Sequence, residues 1–471
     1  MKNKKINYLQ NMLLLFGALF ISVSCDRELT DDMTPASYSK NGEIFTDDFI
    51  ALGSDFYLPY GDSKFTAFSV DKTTGYKGNA SIRIDVPNDV DPLGSYAGGI
   101  FRVDGAGRNL TEFDALTFWA KASQGVTVGE FGFGEDFSAN KYLTTIRNVS
   151  VGTGWTKYTI PIPDASKLLQ ERGMFRYSMG TNETNGAGYT LWIDELRFEK
   201  LGTIAHGQAS INDGNNTSLT TFVGVNSMVS GVIATFNLAN GVNQPVSITT
   251  SYLNFTSSNP SVATVDATGK ITSLSAGTAV ITATFGDMQA TGSVTINCVG
   301  DFVHAPLPTR NPANVISLFS DAYTNVPVNY YNGYWAPWQT TLSNDFTVNG
   351  DNILNYTIFN FVGIEYSSPT INASAMTHVH LDAFIPGAII PGRQLRVIVV
   401  DFGADGVFGG GDDTRHSTTF TAPKIVSQSW ISIDIPFSAM PNLQSRTHLA
   451  QLILEGGDGS AIYVDNIYYY N

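Results

Sequence analysis

Short runs of alternating apolar and polar residues, separated by turn residues, recur along this chain of 471 residues. Two clear examples are Ser81–Val86 (SIRIDV) and residues 279–284 (AVITAT). Successive side chains of a strand point to opposite faces, so this period of two predicts strands with one buried and one exposed face. The 45 glycines favour turns, and the 21 tyrosines and 29 phenylalanines favour strands. We therefore predict an all-β protein with a length that suits roughly three domains.

The first 24 residues have the pattern of a secretory signal peptide. Lysines at the start precede an apolar run, residues 12–23, that is too short to span a bilayer. Residues 21–25 resemble a bacterial lipobox, which implies that Cys25 is lipidated and becomes the first residue of the mature chain. The alternative is a plain secreted protein with an unmodified cysteine.

An acidic cluster follows the cysteine, formed by Asp26, Glu28, Asp31 and Asp32. It resembles the surface-export signal of Bacteroidota lipoproteins. The resemblance implies an outer-membrane lipoprotein, anchored by lipid and exposed at the cell surface, with residues 25–42 as a polar tether.

Charge and cysteine content narrow the partners and the source of stability. The formal net charge is -15, which disfavours binding to nucleic acid or to an anionic membrane surface. A neutral polysaccharide is indifferent to that charge. If Cys25 carries lipid, Cys298 has no partner for a disulfide, so apolar cores must stabilise the domains.

The middle of the chain contains the most specific pattern. Residues 256–284 resemble the bacterial Ig-like group 2 family. Asn259 and the following proline open a turn, Val262 and Val265 are placed to point inward, and Gly269 permits a hairpin. The resemblance implies an Ig-like spacer over residues 202–300.

The flanking segments, residues 43–201 and 301–471, share a series of landmarks. Each opens with a Phe before an acidic residue, has a later Trp strand that ends in Ile-Pro, and closes with an aliphatic-Asp strand. The pairs are residues 44–49 and 318–323, 155–161 and 430–436, and 191–196 and 462–467. The series resembles the galactose-binding-like jelly rolls that serve as carbohydrate-binding modules. The predicted order of the three tandem β-sandwiches is therefore jelly roll, Ig-like, jelly roll.

Exposed aromatic rings suit the flat C–H patches of sugars, and residues 330–338 (YYNGYWAPW) are the densest group. Polar residues, Gly and Pro in this run argue against a wholly buried strand. The glycan-binding residues predicted in the second jelly roll are Tyr330, Tyr331, Tyr334, Trp335, Trp338, Glu365 and Tyr366. Those predicted in the first are Tyr57, Tyr60 and Tyr96, because Trp119, Trp155 and Trp192 lie in alternating strands and are assigned to the core. Trp430 is assigned to the core of the second.

The same resemblance implies a structural Ca²⁺ ion in each jelly roll, because oxygen ligands suit this cation. The implied ligands are Asp47, Asn79 and Asp194 in the first copy and Asp321, Asn352 and Asp465 in the second. The alternative is that these polar residues cap turns at strand ends.

Taken with the anchor, these modules imply a non-enzymatic surface protein. It would bind polysaccharide, by resemblance a β-glucan with β-1,3 linkages, and hold it for a surface glycanase and a TonB-dependent transporter complex. The alternatives are an adhesin that binds host protein or glycoprotein, and a glycoside-active enzyme. Glycoside hydrolysis needs two carboxyl groups across a cleft; Glu365, Asp382 and Glu455 are the candidates, but no local catalytic motif surrounds them.

Overall fold

The computed structural model describes residues 37–471. The predicted signal peptide, the lipidation site Cys25 and the acidic cluster after it lie outside these residues. The all-β prediction is confirmed: in the described part of the chain, the helical elements are six short 3₁₀ turns, and all other regular elements are strands. None of the helices there has the length and apolar character needed to cross a membrane.

The first module consists of two antiparallel sheets that face each other. Its strands are β1 Glu43–Phe45, β2 Tyr57–Pro59, β3 Phe68–Asp71, β4 Ser81–Val86, β5 Ala97–Arg102, β6 Ala115–Ala122, β7 Val126–Phe133, β8 Thr144–Val151, β9 Thr156–Pro161, β10 Gly173–Met179 and β11 Tyr189–Glu199. The rear sheet has the order β3-β4-β11-β6-β9, with β1 beside β11, and the front sheet has the order β2-β5-β10-β7-β8. The alternation in β4 places Ile82 and Ile84 between the sheets, where they are fully buried with Phe101, Phe118 and Phe175.

The middle module has the strands β12 Gln208–Ser210, β13 Asn216–Thr221, β14 Asn226–Met228, β15 Ile233–Asn237, β16 Asn243–Ile248, β17 Asn254–Ser257, β18 Ala263–Val265, β19 Lys270–Ser273, β20 Gly277–Phe285, β21 Met288–Gln289 and β22 Ser293–Cys298. Val262 is buried, and Gly269 has a φ of 77°, which an L side chain rarely adopts. One sheet of this module, β12-β15-β16, continues the front sheet of the first module, because Ile248 in β16 pairs with Thr144 in β8. The two modules thus share backbone hydrogen bonds.

The third module repeats the plan of the first. Its strands are β23 Val315–Phe319, β24 Leu342–Ser343, β25 Phe346–Val348, β26 Asp351–Thr357, β27 Phe361–Glu365, β28 His378–Phe384, β29 Leu395–Asp401, β30 Thr414–Phe420, β31 Trp430–Pro436, β32 Leu449–Glu455 and β33 Ile462–Tyr470. The rear sheet has the order β24-β26-β33-β28-β31, with β23 beside β33 and β25 beside β26, and the front sheet has the order β27-β32-β29-β30. Matching the two orders pairs β5 with β27, β10 with β32, β11 with β33, β6 with β28 and β9 with β31.

The 3₁₀ turns are Ala165–Lys167, Asn182–Thr184, Asn212–Gly214, Thr250–Tyr252, Pro312–Asn314 and Phe437–Ala439.

An aromatic cluster joins the middle and third modules. Phe222 of the middle module and Phe302 of the linker pack against Tyr463 on the rear sheet, with centroid distances of 6.1 Å for each contact. The indole N–H of Trp430 donates to the carbonyl of Val303 at 2.6 Å. The prediction that Trp430 lies in the sandwich core is wrong. Its side chain projects from the face of β31 that points away from the core, and the linker covers it there.

Candidate functional site

The aromatic segment of the third module lies along the edge of its front sheet. The amide of Glu365 in β27 donates to the carbonyl of Tyr330 at 3.0 Å, and the amide of Gly333 donates to the carbonyl of Gly363 at 3.1 Å. These bonds add the start of the segment to the sheet as a short edge strand. Residues 334–338, which follow, are left at the margin of the sheet's outer face.

The indole of Trp335 lies over a strand glycine. A Cβ atom on Gly363 would collide with the six-membered part of the indole, so only glycine lets the ring come this close to the sheet. The half-buried ring also packs with Phe361, at a centroid distance of 6.3 Å, and with the apolar outer-face residues Ile398 and Ile453. Trp335 is thus a ring held flat against the sheet.

A carboxylate lies beside this ring. Glu365 Oε2 accepts hydrogen bonds from the Tyr330 hydroxyl at 2.7 Å and from Gln451 Nε2 at 2.9 Å, and Oε1 accepts from the Ser367 hydroxyl at 2.7 Å. Burial acts to raise the pKa of Glu365, but these three donors outweigh it, and the pKa is lowered. The indole N–H of Trp335 donates to the Tyr330 hydroxyl at 3.2 Å. The site therefore combines an aromatic face with an ionised, oriented acceptor.

The remaining aromatic residues predicted for this site divide into two groups. Trp338 is 73% exposed and Tyr334 is 55% exposed, so both are available to a ligand. Tyr331 instead packs against the core and donates its hydroxyl to the carbonyl of Leu318 at 2.8 Å. Tyr366 is fully buried with its hydroxyl against that of Tyr469, so its ring is not available for stacking on a sugar.

The first module has a related arrangement on its own front sheet. The rings of Tyr60 and Tyr96 lie over Gly98 in β5, where a Cβ atom would approach each ring to 2.8 Å. The amide of Tyr60 donates to the carbonyl of Gly98 at 3.1 Å, as that of Gly333 does to Gly363. In both modules, aromatic rings thus lie over a glycine of matching strands, β5 and β27.

Polar residues that the sequence did not single out surround Tyr60. Its hydroxyl donates to Glu135 Oε2 at 2.6 Å and accepts from Arg176 Nε at 3.0 Å. Burial, and then the hydrogen bond to Glu135, raise the pKa of Tyr60 far above its ordinary value. Phe137, which is 50% exposed, meets the tyrosine ring edge-on. Tyr57 does not join them: its ring packs inward, and its hydroxyl lies 3.1 Å from that of Tyr177.

The prediction that the three tryptophans of the first module lie in its core is wrong. In β6, Phe118 and Ala120 point between the sheets, so Trp119 points to the outer face of the rear sheet. Trp155 and Trp192 lie on the same outer face, and each ring centroid is 5.1 Å from Lys121 Nζ. Alternation predicted that one side of each strand is buried, but not which side.

The aspartates among the predicted calcium ligands accept backbone hydrogen bonds in both jelly rolls, as Asp47 does from Asn79 and Asp321 does from Asn352. In the first, Asp47 accepts backbone amides of Asn79 and Ala80 at 2.8 and 3.0 Å, and Asp194 accepts those of Tyr76 and Lys77 at 2.7 and 3.1 Å. Both carboxylates therefore act as turn caps, as the alternative expected.

In the third module, Asp321 is bonded to Asn352 Nδ2 at 2.7 Å, and Asp465 is buried nearby. Burial, and then the charges of Asp351, Asp321 and Asp382, raise the pKa of Asp465 to about 7. Within residues 37–471, no three His, Cys, Asp or Glu side chains are arranged to hold a metal ion. Calcium binding stays a prediction.

The candidate catalytic carboxyl groups do not face one another across a cleft. Asp382 is buried on the rear sheet, whereas Glu365 and Glu455 lie on the front sheet. Glu365 is paired with Gln451 at one end of the β27–β32 pair, and Glu455 is paired with Phe361 at the other end. Glu455 is paired with Arg396 at 3.1 Å. This arrangement does not provide the pair of carboxyl groups that glycoside hydrolysis requires.

Comparisons with known proteins bear on the first two modules. Residues 44–200 match the family model of carbohydrate binding domain 30, and residues 250–287 match that of the intimin immunoglobulin-like domain. The first match supports polysaccharide binding by the first module, and the second supports an Ig-like middle module. No curated protein matches the chain.

Several solved structures are similar to parts of the chain. A family 30 carbohydrate binding module is 20% identical, with 34% of this chain and 88% of that chain covered and a TM-score of 0.26. The family 11 module from Clostridium thermocellum, in complex with a β-1,3-1,4-mixed-linked tetrasaccharide, is 19% identical, with 34% of this chain and 96% of that chain covered and a TM-score of 0.24. The CBM22-1–CBM22-2 tandem domain from Paenibacillus barcinonensis Xyn10C is 12% identical over 93% and 100%, with a TM-score of 0.23.

Proposed function

We propose that this chain is a lipid-anchored surface protein that captures polysaccharide on the front sheets of its two jelly rolls. The observation that carries the proposal is the pair of matching surfaces: Trp335 over Gly363 beside Glu365, and Tyr60 over Gly98 beside Glu135. The second of these lies in the segment that matches a carbohydrate-binding family.

The physical fit is to a sugar chain. The C–H face of a pyranose buries apolar surface against an indole or phenol ring, and nearby carboxylate and amide groups accept or donate bonds to its hydroxyls. The front sheet of the third module has four strands, so its outer face is about 14 Å wide at about 4.8 Å per strand. A sheet face of this width suits a polymer that lies across it better than a single enclosed sugar.

Capture would depend on two weak sites on one molecule. When one module holds the polymer, the other meets it at a high effective concentration, so modest affinities add. Lipid at Cys25 would fix the protein to the outer membrane, where captured polymer is presented to a surface glycanase and a TonB-dependent transporter complex. The neutral polymer that we propose first is a β-glucan with β-1,3 linkages. We also propose that Asp321, Asn352 and Asp465 hold a structural Ca²⁺ ion in the third module.

The experiment is affinity electrophoresis of the full chain without its signal peptide on gels that contain neutral polysaccharides, including laminarin, mixed-linkage glucan, xylan and dextran. We expect laminarin to retard the wild type, the Trp335→Ala variant to be retarded less, and the Trp335→Ala/Tyr60→Ala double variant to migrate nearly as in an empty gel. If no polysaccharide retards the wild type, glycan capture is wrong, and the adhesin alternative is favoured.

A further inference from the structure

The outer face of the first module's rear sheet carries an aromatic cluster that the proposed function does not use. We call it the rear patch, and its residues are Tyr76, Trp119, Lys121, Trp155 and Trp192. Tyr76 is stacked on Trp119 with a centroid distance of 3.8 Å and an interplanar angle of 14°. Lys121 Nζ lies 5.1 Å from the ring centroids of both Trp155 and Trp192. A cluster of this size on an exposed sheet face indicates an interaction site.

The third module provides an internal comparison for this face. There, Phe384 pairs with Trp430 on β31 and with Tyr463 on β33. In the first module, Lys121 pairs with Trp192 on β11, and Trp155 directly precedes β9, whose Thr156 pairs with Ala120. Lys121, Trp155 and Trp192 therefore occupy the places of Phe384, Trp430 and Tyr463.

The matching faces differ in what covers them. Phe222 of the middle module and Phe302 of the linker cover the aromatic trio of the third module. Within residues 37–471, the aromatic ring that meets Trp155 is Tyr76 of the same module, at a centroid distance of 6.1 Å, and no ring of the middle module or the linker contacts Trp155 or Trp192. The third-module face is thus a protein-packing surface, and its counterpart is open.

They also differ in chemistry. Where Phe384 makes the covered face apolar, the open face has the cation of Lys121. The neighbouring cations are paired, Arg83 with Asp85 at 3.0 Å and Lys157 with Glu199 at 2.8 Å. Lys121 has no such ion pair within the described residues, and its closest charge-stabilising neighbours are the two indoles. A surface made to dock a domain like the middle module would keep the apolar residue at this position.

A cavity adjoins the patch on the Trp119 side. It has a volume of about 240 Å³, and its lining includes Thr117, Trp119, Lys157, Glu195, Arg197 and Glu199. The lining also includes Tyr76 and Lys77, so it combines the stacked rings of Tyr76 and Trp119 with six polar or charged side chains. That mixture provides hydrogen-bond donors and acceptors around a ring face, which is the chemistry of a sugar subsite.

We propose that the rear patch is a second glycan-binding surface, separate from the front sheets, and that it selects anionic glycans. A sugar ring would pack its C–H face against Trp155 or Trp192, and a carboxylate or sulfate group on the glycan would pair with Lys121 Nζ. The local cation acts over a Debye length of about 8 Å, so it attracts a nearby anion although the whole chain is acidic. A neutral glycan offers nothing to Lys121 and binds here weakly.

This inference extends the proposed function to another ligand class, but it uses none of the front-sheet residues. The two can therefore fail separately. Loss of neutral-glucan binding in the double variant Trp335→Ala/Tyr60→Ala tests the two front sheets, and that variant keeps the rear patch intact. The inference is tested in this double-variant background, where the stacking ring of each front sheet is removed.

The probes are two matched pairs: polygalacturonate with its methyl ester, and dextran sulfate with dextran. In affinity electrophoresis and calorimetry, we expect the Trp335→Ala/Tyr60→Ala chain to bind polygalacturonate or dextran sulfate and to ignore the uncharged partner of each pair. Binding of polygalacturonate alone would identify the anion as a uronate, and binding of dextran sulfate alone would identify it as a sulfate. Adding Lys121→Gln should lower that affinity about tenfold and flatten its salt dependence.

Two further variants keep the test decisive. Trp155→Ala removes a ring for which no side-chain hydrogen bond is present, so the fold should survive even if Lys121→Gln proves unstable; it should weaken binding by a similar factor. Lys270→Gln removes an exposed lysine of the middle module and should change nothing. If anionic glycans do not bind, or if they bind folded Lys121→Gln and Trp155→Ala as tightly as the parent, the rear patch is not a glycan site.

Discussion

Two tryptophans of the third module, Trp335 and Trp338, differ in burial, and their replacement by alanine therefore gives two different expected results for stability. Trp338 is 73% exposed, so Trp338→Ala should change the free energy of unfolding by less than about 0.5 kcal/mol. Trp335 is half-buried against Gly363 and Phe361. Full burial of a Trp makes its loss cost about 3–5 kcal/mol, so Trp335→Ala should cost about 2 kcal/mol.

The effect on binding follows from the area that a sugar covers. Loss of one stacked indole removes about 1–3 kcal/mol of binding free energy, which is roughly a tenfold to hundredfold loss in affinity. We expect the larger loss for Trp335→Ala, because this ring lies flat on the sheet face beside Glu365. Trp338→Ala should give the smaller loss because its ring is held by fewer contacts.

The Gly363→Ala variant keeps the Trp335 indole but changes its position, so it tests whether the placement of the ring matters for binding. The glycine has no positive φ, so alanine causes no backbone strain, but its Cβ atom would collide with the indole. Trp335 must then lift off the sheet, and affinity should fall nearly as far as in Trp335→Ala. Gly350→Ala is not a suitable control because that glycine has a φ of 91°; Gly387→Ala, with open space around its Cβ position, is suitable.

Calorimetric titration of the full chain with laminarin oligosaccharides measures the affinities, and thermal unfolding measures the stabilities. The reasoning is refuted if Gly363→Ala and Trp335→Ala bind as tightly as the wild type while Trp338→Ala does not. That result would move the binding surface from the sheet face to the exposed loop.

Three other predictions concern pH, calcium and the module junction. Burial raises the pKa of Glu171 from 4.5 to about 7. Between these two pH values, the native state therefore binds more protons than the unfolded state. Urea denaturation should show the wild type losing up to about 3 kcal/mol relative to Glu171→Gln as pH rises from 4.5 to 7, and parallel curves would contradict the raised pKa. Calcium at millimolar concentration should raise the Tm of the wild type but not that of Asp465→Asn, and an equal rise in both would exclude Asp465 as a ligand. Phe302→Ala should remove about 2–3 kcal/mol of packing between the middle and third modules, giving two separate transitions in scanning calorimetry where the wild type gives a more cooperative one.

Alternation in the sequence predicted the strands well because burial between two sheets acts on every second residue. In β4, the pattern SIRIDV places Ile82 and Ile84 in the core with no ambiguity. The same rule fails for β33, in which all nine residues are buried. One face of that strand meets the core, and the linker and the neighbouring side chains cover much of the other, so period-two contrast disappears.

The candidate site was only partly predictable for a related reason. A dense run of rings at 330–338 is visible locally, and Trp335, Trp338 and Tyr334 do lie at the sheet margin. Arg176 in β10 and Glu135, which follows β7, meet Tyr60, which follows β2, only because the folded sheet places β7, β10, β5 and β2 side by side in that order. A single sequence contains no signal for such pairings between distant strands. The glycines under the rings, Gly98 and Gly363, can be noticed in the sequence because glycine is unusual inside a strand. The sequence does not show which aromatic ring lies over each of them.

The rear faces of the two jelly rolls show how one side chain can determine the use of a whole surface. Both faces have two large rings, Trp155 and Trp192 in one and Trp430 and Tyr463 in the other, at matching strand positions. With Phe384 between the rings, burial of this apolar face under Phe302 and Phe222 stabilises the junction between the modules. With Lys121 between them, the same burial would desolvate an unpaired ammonium group, which costs several kcal/mol. An aromatic domain surface is therefore a poor cover for the first module's face. An anionic ligand pairs with the ammonium group of Lys121 and leaves it partly hydrated, so the desolvation cost is avoided. For this reason the first module's face favours a charged glycan over another Ig-like module.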